Sequence, residues 1–450
     1  MAARRLASRS AADGTPRTVE IVIDGRRVAA REGEPIAVAL WAAGHVVLGR
    51  SAKYHRPRGP YCFQGRCDGC LMRVDGVPNV MTCRTPAREG TSVESQNAFP
   101  SAELDVFGIV DWFFPKGMDH HQMMTGNVAL NRVMQGVARR MAGLGALPSE
   151  PHPVVPVHES AIDVLVVGGG VAGLAAATEA ARAGASVRVV EEADDVGGEM
   201  SSFPGRVLDP DGGDAIDARA LVDRLAREAR AAGASIAPRT SAVAAYRENA
   251  GKSGVRELLV SDGERIERVR PSRVVIASGA HDGVATFEGN DLPGVVSAGA
   301  AARLLSHGVL PAERVVIAGD GVLARALAGA LEQAGAKVAG AFDARVERAS
   351  GRGRVKSVVL ADGRRFACEA LVVAAPPSPA FELAAQAGVS VRWCATRGAF
   401  VAAAGDDSTP TDAWAEATGA VTGVRTLPDL LPAARACGRR AADGARGATA

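Results

Sequence analysis

The sequence predicts an α+β amino-terminal domain followed by an α/β region of two Rossmann-like units, one inserted in the other. Three observations carry this. A strand–turn–strand–helix start precedes four clustered cysteines, and a proline-rich stretch closes that part of the chain. Beyond it, two apolar strands about 150 residues apart each run through a glycine turn into an Ala-rich helix.

The 450 residues are 47% hydrophobic and 23% charged, with a mean hydropathy of +0.06, the profile of a globular chain long enough for roughly three domains. With 52 basic against 50 acidic residues and no basic stripe, nucleic acid is excluded as a partner. The most apolar stretch, 164–177, is interrupted by three consecutive glycines and preceded by Asp163, so no membrane span is expected. Residues 1–16 are rich in Arg, Ala and Ser without an apolar h-region; they read as a loose tail with no secretion signal, a transit peptide being the alternative. Cys62, Cys67, Cys70 and Cys83 lie together while Cys368, Cys394 and Cys437 are scattered, which fits a reducing cytoplasm and one metal site.

In chain order, Thr18 to Ile23 alternates as a strand, Asp24-Gly25 forms a hairpin turn, and a second strand reaches about Ala30. Gly33-Glu34-Pro35 then opens a helix that ends at Gly44. A basic loop, 51–59, leads into the cysteines and a hairpin centred on Asp75-Gly76, and this domain spans 17–95. A connecting segment and linker, 96–160, holds Trp112, Phe113, Phe114, Met118, a helix from Asn127 to Met141, and Pro148, Pro151, Pro153 and Pro156. The remainder is expected to divide into 161–285 plus 395–450, with 286–394 inserted.

The spacing Cys62-x4-Cys67-x2-Cys70-x12-Cys83 is that of a plant-type [2Fe–2S] site, and with the strand pattern it predicts a β-grasp, ferredoxin-like domain. A two-residue turn at Asp75-Gly76 sets Cys70 opposite Met81, with Cys83 just beyond the same end. Gly65 and Gly69 let backbone N–H groups approach the sulfides, and Arg66, Lys53, His55, Arg56 and Arg58 add positive potential, unless the basic loop is a solvated surface or a partner contact. Structural zinc is the rival, but zinc sites come as two knuckles, whereas here three cysteines are followed by one.

Gly168, Gly170 and Gly173 form G-x-G-x-x-G between an apolar strand, Asp163 to Val167, and a helix. Gly168 permits the turn, Gly170 lets a pyrophosphate approach, and Gly173 allows close helix–strand packing. Glu191, 23 residues after Gly168, follows the strand Ser186 to Val190 and can accept adenosine ribose hydroxyls, which favours NAD or FAD over NADP. The Gly197-Gly198 pair resembles that of two-dinucleotide flavoproteins, and on that resemblance FAD is preferred over NAD. Val274-Val-Ile-Ala-Ser-Gly-Ala280 likewise resembles their crossing strand.

In the second motif, Arg314 to Gly335, Gly319 and Gly321 remain, but Ala324 replaces the third glycine and Asp320 sets a carboxylate at the helix start. Asp343 could hold a ribose, so this site either takes NAD or is a retained fold with an altered site. Cys368, Cys394 and Cys437 make no C-x-x-C relay and read as buried small hydrophobes; His120-His121 reads as structural. No catalytic residue is assigned.

Ser51-Ala-Lys-Tyr-His-Arg-Pro-Arg-Gly59, the cysteine loop, Gln96-Asn-Ala-Phe-Pro100, Ala142-Gly-Leu-Gly145, Glu288-Gly-Asn-Asp-Leu-Pro-Gly-Val295 and Ala417-Thr-Gly-Ala-Val-Thr-Gly423 resemble one family. It comprises the α subunit of heteromeric sarcosine oxidase and its relatives among hydrogen cyanide synthases, opine oxidases and hydroxyproline or proline dehydrogenases. The resemblance implies a flavoprotein fold in which Gly419 joins the cofactor site, although Ala420 stands where many flavoproteins have Asp and one ribitol contact is lost. It also implies a heteromer, with a β subunit whose flavin oxidises a small amino or imino acid while this chain relays electrons. FMN at the interface with that partner is a further option. The sequence carries neither the aminomethyltransferase-like region of folate-coupled sarcosine oxidases, which counts against sarcosine oxidase proper, nor a second carboxy-terminal cysteine cluster, which leaves the electron exit route and the acceptor unassigned. Two other readings stay open: an NAD(P)H-dependent reductase with a built-in ferredoxin, and a scaffold whose nucleotide is structural.

Overall fold

Val19, Ile21 and Ile23 alternate with the more exposed Thr18, Glu20 and Val22 along Thr18–Ile23 and all three are buried, which fixes the inner face of the strand. Asp24 and Gly25 both take positive φ, 46° and 79°, as a two-residue turn matched to strand twist requires, and Thr18–Ile23 pairs antiparallel with Arg26–Arg31. The computed structural model describes residues 5–6, 17–52, 54–109, 127–141, 154–247, 256–342, 344–405 and 413–449. The chain forms two units, one of residues 1–151 with 284–375 and one of 152–283 with 376–450.

In the first unit a five-stranded mixed sheet runs Arg26–Arg31, Thr18–Ile23, Ser92–Glu94, Leu71–Val74, Val77–Met81. The apolar helix Ile36–Ala42 is buried along Ile36 to Trp41. This is the expected β-grasp arrangement. The same unit holds a parallel sheet in the order Val295–Ser297, Ala370–Val373, Arg314–Ala318, Lys337–Ala341, with helices Ala298–Ser306 and Val322–Gln333. These parts share one core. Ile21, Leu40, Trp41 and Met72 belong to one continuous core with Val296, Leu304, Ile317 and Leu327, and Trp41 Nε1 donates to Pro311 O at 3.0 Å. The two parts thus lie within one compact unit.

The second unit is a seven-stranded sheet. Val157–Val167 lies between Val187–Val190 and Ile266–Ile276, all parallel, and Ala415–Ala417 adds to the end of Ile266–Ile276. Val164, Leu165 and Val166 are fully buried, each contributing about 1.5–3 kcal/mol of apolar burial. Helix Val171–Arg182 and helix Leu427–Thr449 share the core on one face, where small residues such as Ala176, Ala180, Ala434 and Cys437 meet.

One boundary differs from expectation. Residues 376–394, expected within the inserted segment, belong to the second unit, because Ser378–Pro379 pairs with Ala280–His281 and Ala384 and Ala387 enter that unit's core. The connecting helix is Val128–Met141, with Asn127 Oδ1 accepting from the Ala129 and Leu130 N–H groups as its cap. Lys53, Trp112, Phe113, Phe114, Met118, His120, His121, residues 142–145, Pro148, Pro151, Pro153 and Asp343 lie outside the described residues.

Trp41 is 2% exposed, meets Phe63 edge-on at 5.5 Å and bonds Pro311 O. Trp41→Ala is expected to destabilise the first unit by about 3–5 kcal/mol, read as a lowered urea midpoint; an unchanged midpoint would contradict the shared core.

Candidate functional site

Residues 59–70, which lead into Leu71–Val74, carry Cys62, Cys67 and Cys70, and Cys83 follows the returning strand Val77–Met81. Cys62, Cys70 and Cys83 are buried and Cys67 is half-buried. The hairpin brings them together in a register one residue from the expected one. Leu71 pairs with Met81 and Met72 with Val80, whereas Val74 pairs with Val77. The extra residue is a bulge at Pro78-Asn79, where proline has no N–H to give the ladder and Asn79 takes φ 59°. Cys70 therefore lies opposite Thr82, whose N–H and hydroxyl both donate to Cys70 O, at 3.2 and 2.7 Å.

The thiols are grouped two and two. Cys62 Sγ is 3.5 Å from Cys67 Sγ, and Cys70 is hydrogen-bonded to Cys83. Within each pair one sulfur keeps the proton: the hydrogen bond from Cys62 lowers the Cys67 thiol to about 6 while Cys62 is raised, and that from Cys83 lowers Cys70 while Cys83 is raised. Gly65 N–H donates to Cys83 Sγ at 3.2 Å and Arg66 N–H to Cys62 Sγ at 3.4 Å, so backbone dipoles already face the sulfurs. At Gly69 a Cβ would lie 2.0 Å from Gly59 O, so only glycine lets the loop fold this tightly. Two pairs of soft thiol donors fit a two-iron centre.

Some sequence expectations change here. His55 does not lend charge to the surface: it is 3% exposed and its Nδ1 lies 2.8 Å from Asp105 Oδ2. Arg58 faces Asp291 at 3.6 Å. Arg303, from helix Ala298–Ser306, was invisible to sequence reading, yet it donates to Cys62 O and to Gln64 Oε1. With more than 230 residues between the partners, no local pattern signals such a contact.

The second constellation surrounds the start of helix Val171–Arg182 in the other unit. Gly168 follows the strand Val157–Val167 at φ +101°, and Gly170 is the helix N-cap with no side chain capping the free N–H groups. A Cβ at Gly173 would lie 1.9 Å from Gly168 O. Gly198 backs onto Gly170, where a Cβ on Gly198 would meet Gly170 Cα at 3.3 Å, and a Cβ on Gly419 would meet Ala172 Cβ at 2.7 Å. Glu191, buried, follows the strand Val187–Val190; its Oε2 accepts from Gly169 N–H at 2.7 Å and its Oε1 from Ala193 N–H at 2.8 Å. All six glycine and glutamate positions read from sequence thus stand around one helix start, whose donors suit a pyrophosphate.

The second glycine turn is different. Asp320 Oδ1 accepts from Gly321 N–H at 2.7 Å and pairs with Arg325 at 2.9 Å, and Arg325 lies over the Phe342 ring. Of the scattered cysteines, Cys368 and Cys437 are buried, and burial raises both thiols, Cys368 to about 12. Cys394 corrects the expectation: it is half-buried, and the Thr396 hydroxyl with the Arg397 N–H lowers its thiol.

Fold and sites together define an iron–sulfur flavoprotein. Residues 16–98 match the 2Fe-2S iron-sulfur cluster binding domain family, and residues 163–301 match the FAD dependent oxidoreductase family. The chain is 31% identical over 425 residues to the sarcosine oxidase α subunit of Rhizobium meliloti, covering 85% of this chain and 42% of that protein. It is 34% identical over 182 residues to the hydrogen cyanide synthase protein HcnB of Pseudomonas aeruginosa, covering 40% of this chain and 38% of that one. L-proline dehydrogenase from P. horikoshii, 22% identical, shares the fold with a TM-score of 0.72 over 95% of this chain and 73% of its own. The chain belongs to the family that unites sarcosine oxidase α subunits, hydrogen cyanide synthase HcnB and their opine oxidase counterparts. It spans about two fifths of the length of the curated relatives named. Among the described residues no helix is long and apolar enough to cross a membrane.

Gly173→Val is expected to give a protein that loses flavin at least tenfold, measured as the flavin-to-protein absorbance ratio, because the Cβ collides with Gly168 O. A short iodoacetamide pulse at pH 8 is expected to label Cys394 and spare Cys368 and Cys437, with peptide mapping as the check: the lowered thiol is the more ionised one.

Proposed function

We propose that this chain is the α-type subunit of a heteromeric dehydrogenase or oxidase that acts on the C–N bond of a small amino or imino acid. In this reading Cys62, Cys67, Cys70 and Cys83 hold the [2Fe–2S] cluster, and Gly168, Gly170, Gly173, Glu191, Gly198 and Gly419 hold FAD. The observation that carries it is the two-and-two thiol grouping in a chain that also presents an uncapped dinucleotide turn.

When bound, FAD takes up an electron pair and the cluster passes electrons singly. Cys62, Cys67, Cys70 and Cys83 would hold the cluster, and the Gly65 and Arg66 N–H groups, which already face Cys83 and Cys62, would offset its added negative charge. The N–H groups at the start of Val171–Arg182 receive the pyrophosphate, and Glu191, already oriented by Gly169 and Ala193, takes the ribose hydroxyls. Substrate oxidation is assigned to a flavin-containing β subunit. The names of the relatives, each a subunit of a larger enzyme, support a heteromer. Seven cysteines without a disulfide support a reducing, cytoplasmic setting.

The test is anaerobic purification of the chain with its genomic neighbour, metal and flavin analysis, and visible spectra before and after candidate amines. The expected result is iron, labile sulfide and FAD, with flavin bleaching by one amine class. Cys83→Ser is expected to abolish the reduced-cluster EPR signal and to leave flavin absorbance in place. Zinc in place of iron, or a fully loaded complex that no amine bleaches, overturns the reading.

A further inference from the structure

Gln64 lies in the cysteine loop between Cys62 and Cys67. Its Oε1 accepts a hydrogen bond from Arg303 Nη2 at 2.6 Å, and Nη1 of the same guanidinium donates to Cys62 O at 2.6 Å. Ser297, the residue before helix Ala298–Ser306, donates its N–H to Tyr61 O at 3.0 Å. Three hydrogen bonds thus fasten the loop to the second Rossmann-like sheet of its own unit.

A guanidinium has donors only, so the Gln64 atom facing it is the amide oxygen, and the orientation of the amide is settled by chemistry. The nitrogen is consequently held away from Arg303. There Nε2 is enclosed and makes no hydrogen bond among the described residues. A buried amide donor without an acceptor is unfavourable, and buried polar groups in folded chains are almost always paired. The acceptors that a loop of four cysteines adds once loaded are thiolate and bridging sulfide.

Resting on the assignment of the four thiolates to a [2Fe–2S] cluster, we propose that Gln64 Nε2 is a donor reserved for the cluster and that Arg303 is the positioning residue that aims it. One-electron reduction adds negative charge to the sulfurs without a proton. The amide donor and the nearby guanidinium charge stabilise the reduced form more than the oxidised form, so the pair raises the reduction potential. The second Rossmann-like sheet then has a role that needs no nucleotide: it carries the residue that sets the potential of the cluster.

The experiment is an EPR-monitored redox titration of the full chain with its partner, with iron and sulfide measured on each sample. Gln64→Leu and Arg303→Met are each expected to shift the reduction equilibrium about tenfold toward the oxidised form, a fall of about 59 mV for one electron. Arg303→Lys is expected to recover part of the shift, and the double variant to show less than the sum, since Arg303 acts partly through Gln64. If Gln64→Leu fails to retain iron, Gln64→Glu carries the test: it has the same size, still accepts from Arg303 and has lost the donor, so its potential falls at least as far. Unchanged potentials in loaded Gln64 variants overturn the proposal. A wild-type chain without iron and sulfide is a different result, the failure of the cluster assignment itself.

Discussion

Four thiols are gathered by one loop and its returning strand although each thiolate would repel the next, and the proposed two-iron centre makes that gathering the chief demand on the first unit. The loop answers it with backbone. N–H groups of Gly65 and Arg66 point at sulfurs, and the close approach of Gly69 to Gly59 O leaves no room for a side chain. Each thiol pair shares its protons unequally, with Cys67 and Cys70 the readier to ionise. Metal binding removes the remaining protons, so the charge the loop must tolerate is greatest in the loaded state.

The dinucleotide turn of the second unit solves a related problem with the same material. A diphosphate needs donors without competing anions, and the start of Val171–Arg182 supplies N–H groups that no side chain caps. The second turn shows what happens when a carboxylate enters this geometry: Asp320 itself takes the Gly321 N–H and Arg325 balances its charge. The two turns of similar sequence thus differ in where their carboxylate comes from: in the first, Glu191 from beyond the next strand takes the Gly169 N–H while the helix start stays uncapped, and in the second, Asp320 of the turn itself takes the Gly321 N–H.

Core packing makes the cluster domain and the inserted sheet a single mechanical object. Trp41 and Arg31 donate to the Pro311 and His307 carbonyls, and apolar residues of both sheets form one cluster. The position of the cysteine loop therefore depends on residues far away in the chain. A contact such as that from Arg303 can be held to hydrogen-bond precision because its helix is packed on the same core.

The amino-acid sequence by itself determined the β-grasp start, the two strand–glycine–helix units, the four thiols and the glycine cradle. Each of these is written in local spacing: alternation in Thr18–Ile23, turns at Asp24-Gly25 and Asp75-Gly76, and G-x-G-x-x-G at 168–173. Only the tertiary structure decided the register that sets Cys70 against Thr82, because a bulge at Pro78-Asn79 depends on how the ladder closes. It also decided the burial of His55 against Asp105, the partial exposure of Cys394, the return of 376–394 to the second unit, and the grip of Arg303 on the cluster loop. These are contacts between residues tens to hundreds of positions apart, or burial that follows from such contacts. Spacing along a chain carries the geometry of a turn, a strand or a helix, but the meeting of distant surfaces is set by the packing of whole sheets.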